Sequence, residues 1–234
     1  MIIIPDIHGR SFWHDAVEAE STEEIIFLGD YTDPYPHEGI APEKGLETLT
    51  DVLRLKADHP ERTTLLLGNH DLSYISSHLP QCRHDHQNHD TIRQILLDNL
   101  DQFDIAHEIQ VADRHIIFTH AGILPQWLKA NEPDLGPIPP GHECTALNQH
   151  FHDGTLYPAL GNLSWYRGGT DETGSCVWAD INEHIKSNTH LSGYYQIFGH
   201  TQMKEPLIET HFASLDCRQT FRLDDLLIRW VKST

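Results

Sequence analysis

The chain is short of positive charge. It holds 16 lysines and arginines against 35 aspartates and glutamates, a formal charge of −19 with histidine neutral. So acidic a chain gains nothing from counterion release and is repelled by anionic lipid, which argues against nucleic acid and membrane surfaces as partners. An anionic substrate would then need imported positive charge, and metal ions supply it. No apolar run approaches the roughly 20 residues of a spanning helix. Cysteine is scarce as well: Cys82, Cys144, Cys176 and Cys217, with no CxxC pair among them. The opening MIIIPDIHG is interrupted too soon to be the apolar region of a signal peptide, and the chain reads as a reduced, cytoplasmic protein. Repeats, low-complexity tracts and long polar linkers are missing. At 234 residues and 38% hydrophobic, the chain can bury a sizeable core and is read as a single domain over 1–234.

What is plentiful is histidine, at 19. Its placement follows the secondary structure. MIII opens as a strand, and Ser11 can cap a short helix through about Ala19. EEIIFLG is a second strand. Pro42 starts a helix whose Leu46, Leu49, Leu53 and Ala57 share one face. TTLLLG is a third strand, and Asp90 can cap a helix carrying Ile92, Ile95, Leu96 and Leu100. HEIQVA and RHIIFTH read as consecutive strands turning at Ala112-Asp113. The stretch from Glu132 to Gly174 is rich in proline and glycine, with a helix expected near His142 to His152 and a loop at Tyr166-Arg167-Gly168-Gly169. YQIFG, HFASLD and DLLIRWV read as strands. A βαβαβ first half argues for a largely parallel sheet and a strand-rich second half for antiparallel additions, so the expectation is a mixed α/β architecture with two sheets face to face.

Five of these strands end alike. Asp6-Ile7-His8-Gly9 follows the first, Gly29-Asp30 with Asp33 the second, and Gly68-Asn69-His70-Asp71 the third. Thr119-His120-Ala121-Gly122 and Gly199-His200-Thr201 follow two later ones. Each piece alone suits a turn or cap, but all five tips carry metal-competent side chains. Ligands of open α/β sheets gather at the carboxyl ends of strands, where glycine lets the backbone pass close to a bound group. Mixed Asp, His and Asn donors without sulfur suit manganese, iron or zinc. One ion is too few to use them all. Two ions about 3.5–4 Å apart, sharing a carboxylate, would clamp an in-line displacement at phosphorus.

In this order the motifs resemble the calcineurin-like metallophosphoesterase superfamily, closest to its bacterial phosphoprotein-phosphatase-like branch. The resemblance runs from residue 6 to residue 201. It implies a four-layer αββα sandwich and two divalent ions, manganese first, with iron or zinc as alternatives. It implies that Asp6, His8 and Asp30 hold one ion, and that Asp30, Asn69, His120 and His200 hold the other. A metal-bridging hydroxide would attack the phosphate ester, His70 would protonate the leaving oxygen, and Asp33 would orient His70. The implied activity is a phosphomonoesterase resembling Ser/Thr protein phosphatases, with a phosphorylated protein or a small phosphoester as substrate. A dinucleoside polyphosphate hydrolase is the alternative, and a silent binding scaffold of the same fold is the alternative of another class.

Three departures stand out. Pro34 replaces the arginine of the Asp-Arg-Gly found in many relatives, Gln202 replaces a second histidine, and Asp71 stands where the protein phosphatases usually have Glu. Arg167, flanked by glycine, is the candidate to grip the phosphate in place of the lost arginine. Tyr31 and Tyr35 are expected at the mouth of the site. Arg83-His84-Asp85-His86-Gln87-Asn88-His89 reads as a solvated loop.

Overall fold

Side chains along a strand point alternately to opposite faces, and the first three apolar runs use both. Ile2, Ile4, Ile25, Phe27 and Leu65 pack with the helices, whereas Ile3, Ile26, Leu28 and Leu66 pack against Ile116, Phe118, Tyr195, Ile197 and Ala213 of a second sheet. Runs buried on both faces read as continuous hydrophobic stretches, as parallel strands under helices do.

The computed structural model describes residues 1–19, 22–81, 83–112 and 114–226. In chain order the elements are β1 (Ile2–Ile4), α1 (His14–Ala19), β2 (Ile25–Phe27), α2 (Glu43–Asp58), β3 (Thr63–Leu66), α3 (Asn69–Ile75) and α4 (His89–Asp98). There follow β4 (Phe103–Asp104), β5 (Ala106–Val111), β6 (Arg114–Thr119), α5 (Pro125–Leu135), α6 (Glu143–His152), α7 (Tyr157–Leu160), α8 (Ile181–Lys186), β7 (Tyr194–Phe198), β8 (Leu207–Ile208), β9 (Phe212–Ser214) and β10 (Phe221–Arg222). One sheet runs β10-β1-β2-β3-β4 and the other β5-β6-β7-β9-β8. Both are mixed. β1 to β4 are parallel with β10 antiparallel at the edge, and β6, β7 and β9 are parallel with β5 and β8 antiparallel beside them. The αββα sandwich is therefore present.

Three readings change. The chain is helical over 223–226, which takes in Asp225 and Leu226 of the DLLIRWV stretch, while its other five residues lie outside the described residues; a pair of aspartates, Asp224 and Asp225, suits a helix start better than a strand interior. Helix α4 begins at His89 with Asn88 at the cap position, so Asp90 lies inside the first turn. The stretch just before the proline-rich middle, for which no element was expected, holds α5, whose Pro125 sits in the first turn, where its missing N–H has no helical partner. Among the described residues no helix is long and apolar enough to cross a membrane.

The parallel strands of each sheet end at one edge, and the two edges meet. His120, just past β6, donates from Nδ1 to the Leu28 carbonyl beyond β2 at 2.8 Å. Gly199, past β7, donates to the His120 carbonyl at 2.8 Å.

Candidate metal centre

Asp6, His8, Asp30, Asn69, His120 and His200 come together at this seam. Asp30 is central. Its Oδ1 accepts the backbone N–H of His70 at 3.0 Å. Its Oδ2 lies between two imidazoles, 3.4 Å from His8 Nε2 and 3.5 Å from His120 Nε2. A carbonyl can only accept, so His8 Nδ1, 2.8 Å from the Thr32 oxygen, carries its proton and turns the Nε2 lone pair inward. The Leu28 carbonyl does the same for His120. His120 Nε2 also meets Asn69 Oδ1 at 3.0 Å and His200 Nδ1 at 3.1 Å. Asp6 accepts the His200 backbone N–H at 3.0 Å on both oxygens.

Acceptor atoms thus converge with few donors between them. Two groups have ligand atoms all within 4.8 Å of one another, His8-Asp30-His70 and Asp30-His120-His200, and they share Asp30. Asp6 falls outside both groups, and His70 falls inside the first. Burial pushes the His8 and His200 rings well below the usual histidine range, with Arg167 also lowering His200. Burial would raise Asp30, but the surrounding histidines and the His70 N–H hold it down at about 2. A cation binds to ionised carboxylates and to imidazole nitrogens that carry no proton. The donor set therefore fits divalent metal, with oxygen and nitrogen ligands and no sulfur.

The local chain folds to present these groups. Asn69, His70 and Asp71 form the first turn of α3. A methyl group at Gly68 would lie 2.1 Å from Asp30 Oδ1, and one at Gly199 would lie 2.0 Å from Asp6 Oδ2. Glycine at these two tips is what lets the carboxylates in. His8, Asp30, Asp33 and His200 all have left-handed backbone, with φ of 48°, 58°, 57° and 65°. Such conformations cluster at functional sites.

Asp71 is an anchor rather than a liner. Its carboxylate accepts the backbone N–H groups of Asp30 at 2.7 Å, Gly68 at 3.0 Å and Tyr31 at 3.1 Å. Asn at this position has one oxygen for three donors and turns an NH2 toward an N–H. Asp71→Asn is expected to cost about 2 kcal/mol or more in a denaturant melt, the scale of a buried donor left unpaired. An unchanged midpoint would show that the three donors find other partners.

His70 donates from Nδ1 to Asp33 Oδ2 at 2.7 Å. Asp33 Oδ1 accepts the Tyr74 hydroxyl and, at 3.1 Å, the backbone N–H of Asp85. Arg167, at the end of a single helical turn over Trp165–Arg167, pairs through Nε with Asp180 at 2.9 Å and donates from Nη2 to Thr201 at 2.6 Å. It reaches the His200 side of the seam.

Three features escape a reading of the sequence alone. Tyr31 is not at the mouth. It is fully buried and donates to the Leu66 carbonyl. Asp216, just past β9, is 1% exposed, and neither carboxylate oxygen has a hydrogen-bond partner among the described residues. Burial, then the nearby Asp6 charge, pushes it well above the carboxylate range. It ends a strand as the other tip residues do, so the HFASLD run carried the signal. Finally, the 83–89 stretch is not simply solvated. Asp85 is buried, and His84 stacks on Tyr74 with ring centroids 4.0 Å apart.

The family profile of the calcineurin-like phosphoesterases matches residues 2–203. Among solved structures, a protein serine/threonine phosphatase from Saccharomyces cerevisiae with similarity to human phosphatase PP5 aligns with a TM-score of 0.51 at 12% identity, over 92% of this chain and 65% of that one. The phosphatase domain of the Legionella effector WipB aligns with a TM-score of 0.40 at 15% identity, over 63% of this chain and 59% of that one. The chain thus spans a little under two thirds of the length of the yeast enzyme it resembles, and at these identities the likeness is one of fold.

Proposed function

The chain belongs to the calcineurin-like phosphoesterase family, a metal-dependent family of phosphoester hydrolases, and from that membership we propose that it is a dinuclear phosphomonoesterase. The observation that carries the proposal is Asp30, whose Oδ2 stands between His8 and His120 and belongs to both donor groups. Asp6, His8 and Asp30 hold one divalent ion, and Asp30, Asn69, His120 and His200 hold the other. Manganese is the first choice, with iron or zinc next. When bound, the ions supply Lewis-acid polarisation of the phosphoryl group and activation of water.

The remaining roles are the chain's own. His70 lends the proton from Nε2 to the leaving oxygen as the P–O bond breaks. Asp33, receiving Nδ1–H, fixes the ring and stabilises its charged form, while Tyr74 and the Asp85 amide fix Asp33. Arg167, held by Asp180 and Thr201, steadies the phosphoryl oxygens from the His200 side. The substrate is a phosphorylated serine or threonine side chain or a small phosphomonoester. A reducing, cytoplasmic setting accords with Cys144, Cys176 and Cys217, all of which are free.

The decisive experiment is hydrolysis of p-nitrophenyl phosphate, a phosphoserine peptide and a dinucleoside tetraphosphate by manganese-loaded protein. Turnover of the first two with little of the third supports the reading, and inactivity on all three rejects it. Arg167→Ala is expected to raise KM, to lower kcat/KM by about 10- to 100-fold and to leave metal content unchanged, since a charge-assisted contact contributes about 1.5–3 kcal/mol. Lysine should recover little, because an ammonium cannot reproduce the fork. Wild-type kinetics in the alanine variant would remove Arg167 from the site.

A further inference from the structure

A second guanidinium stands at the opposite side of the centre. Arg83 comes from the stretch that follows α3, and among the described residues only its Nε makes a short hydrogen bond, to the Asp33 carbonyl at 3.2 Å. Its guanidinium carbon sits 3.4 Å from the centre of the Tyr35 ring. Its Nη2 is 3.4 Å from each ring nitrogen of His8. Equidistant from the two, it does not point along the Nε2 lone pair, so this is a contact with the ring rather than a hydrogen bond. Among the described residues Arg83 has no carboxylate partner. Arg10 and Arg167, by contrast, are paired with Glu38 and Asp180.

A half-buried guanidinium without a counter-ion is costly, and one facing a cation site is more so. An anion between them removes both penalties. The backbone is arranged to hold the group there. Asp33 accepts Arg83 Nε on its carbonyl and the Asp85 amide on its carboxylate, so the loop and the residue behind His70 are one unit. Tyr35 stiffens the arrangement, packing edge-on against His8 with centroids 5.1 Å apart. Its neighbour is Pro34, so the charge that position 34 lacks returns from residue 83.

We propose that Arg83 grips the terminal oxygens of a dianionic phosphomonoester at the His8 side of the centre, opposite Arg167, and so selects monoesters over diesters. The proposal rests on the phosphoesterase reading above and names its substrate class. A monoester dianion offers three terminal oxygens and two charges. A diester offers two and one, and its second ester group fills the place where the guanidinium would meet an oxygen. Bidentate guanidinium contacts favour the first strongly.

The test compares metal-loaded wild type with Arg83→Ala, Arg83→Gln and Arg83→Lys. Inorganic phosphate binding is measured by calorimetry, kcat/KM on p-nitrophenyl phosphate and bis-p-nitrophenyl phosphate, and metal content on each sample. Arg83→Ala and Arg83→Gln are expected to weaken phosphate binding about tenfold or more, with a matching loss on the monoester, as removal of a charge-assisted contact does. The diester should change by less than about threefold, the metal content should hold, and Arg83→Lys should fall between. Wild-type phosphate affinity in the alanine and glutamine variants overturns the assignment. So do equal losses on both substrates with falling metal content, which would make Arg83 a support for His8. If wild type turns over neither ester but phosphate affinity still drops in the variants, the grip stands and the hydrolase reading fails. If wild type hydrolyses the monoester yet Arg83→Ala matches it, the hydrolase reading stands and the grip fails.

Discussion

Asp30→Asn should abolish hydrolysis and weaken both ions at once. The two oxygens of Asp30 are not equivalent. Oδ1 accepts the His70 N–H at 3.0 Å, and Oδ2 faces His8 and His120. An asparagine must keep its single oxygen at the Oδ1 place, because only an acceptor satisfies that N–H. Its NH2 then falls between the two imidazoles, where a cation would sit. The variant therefore loses a ligand and gains a dipole of the wrong sign. Even outer partners of metal ligands contribute about 10–100-fold in affinity, so loss of the shared one should exceed roughly a hundredfold for each ion. Calorimetric titration with manganese, with p-nitrophenyl phosphate turnover on the same samples, measures it. One ion lost and the other bound as tightly as in wild type would mean that Asp30 does not bridge.

His70→Asn should leave both ions bound and slow turnover by about 10²- to 10⁴-fold, the range of general acid–base assistance. His70 Nδ1 is committed to Asp33, leaving Nε2 to face the substrate. The loss should shrink as the leaving group improves, because a nitrophenolate departs without a proton and an alkoxide does not. The geometry also supplies the competing outcome, since His70 falls within ligand distance of His8 and Asp30. A fall in metal content, with equal losses on good and poor leaving groups, would make His70 a ligand instead.

The tips were legible because each is a local event: an apolar strand, then a glycine, then a polar donor. Three consecutive strands with two helices between them also determine a parallel sheet almost uniquely. Elements that exist only because a neighbour is waiting were not legible. β4 and β10 are two residues each and form by completing the edges beside β3 and β1. Nothing within two residues distinguishes them from loop. Arg83 is hidden for the same reason. Its sequence neighbours are polar and histidine-rich, and what makes it more than surface is Asp33 and Tyr35, distant in sequence and adjacent in space. Asp216 differs in kind: it follows an apolar strand as the other tip residues do, but without the glycine that marks them.

The left-handed backbone at His8, Asp30, Asp33 and His200 has a consequence for descent. At each of these positions glycine would fit the conformation better than the residue present, by roughly 1 kcal/mol or more. A lineage released from catalysis and kept only for its fold would be pulled toward glycine at four separated places. At Asp30 and Asp33 that pull is opposed by buried donors that would lose their acceptor, the N–H groups of His70 and Asp85 and the Tyr74 hydroxyl. At these bends the site and the backbone ask for different residues, and the polar side chain present is the one the site requires.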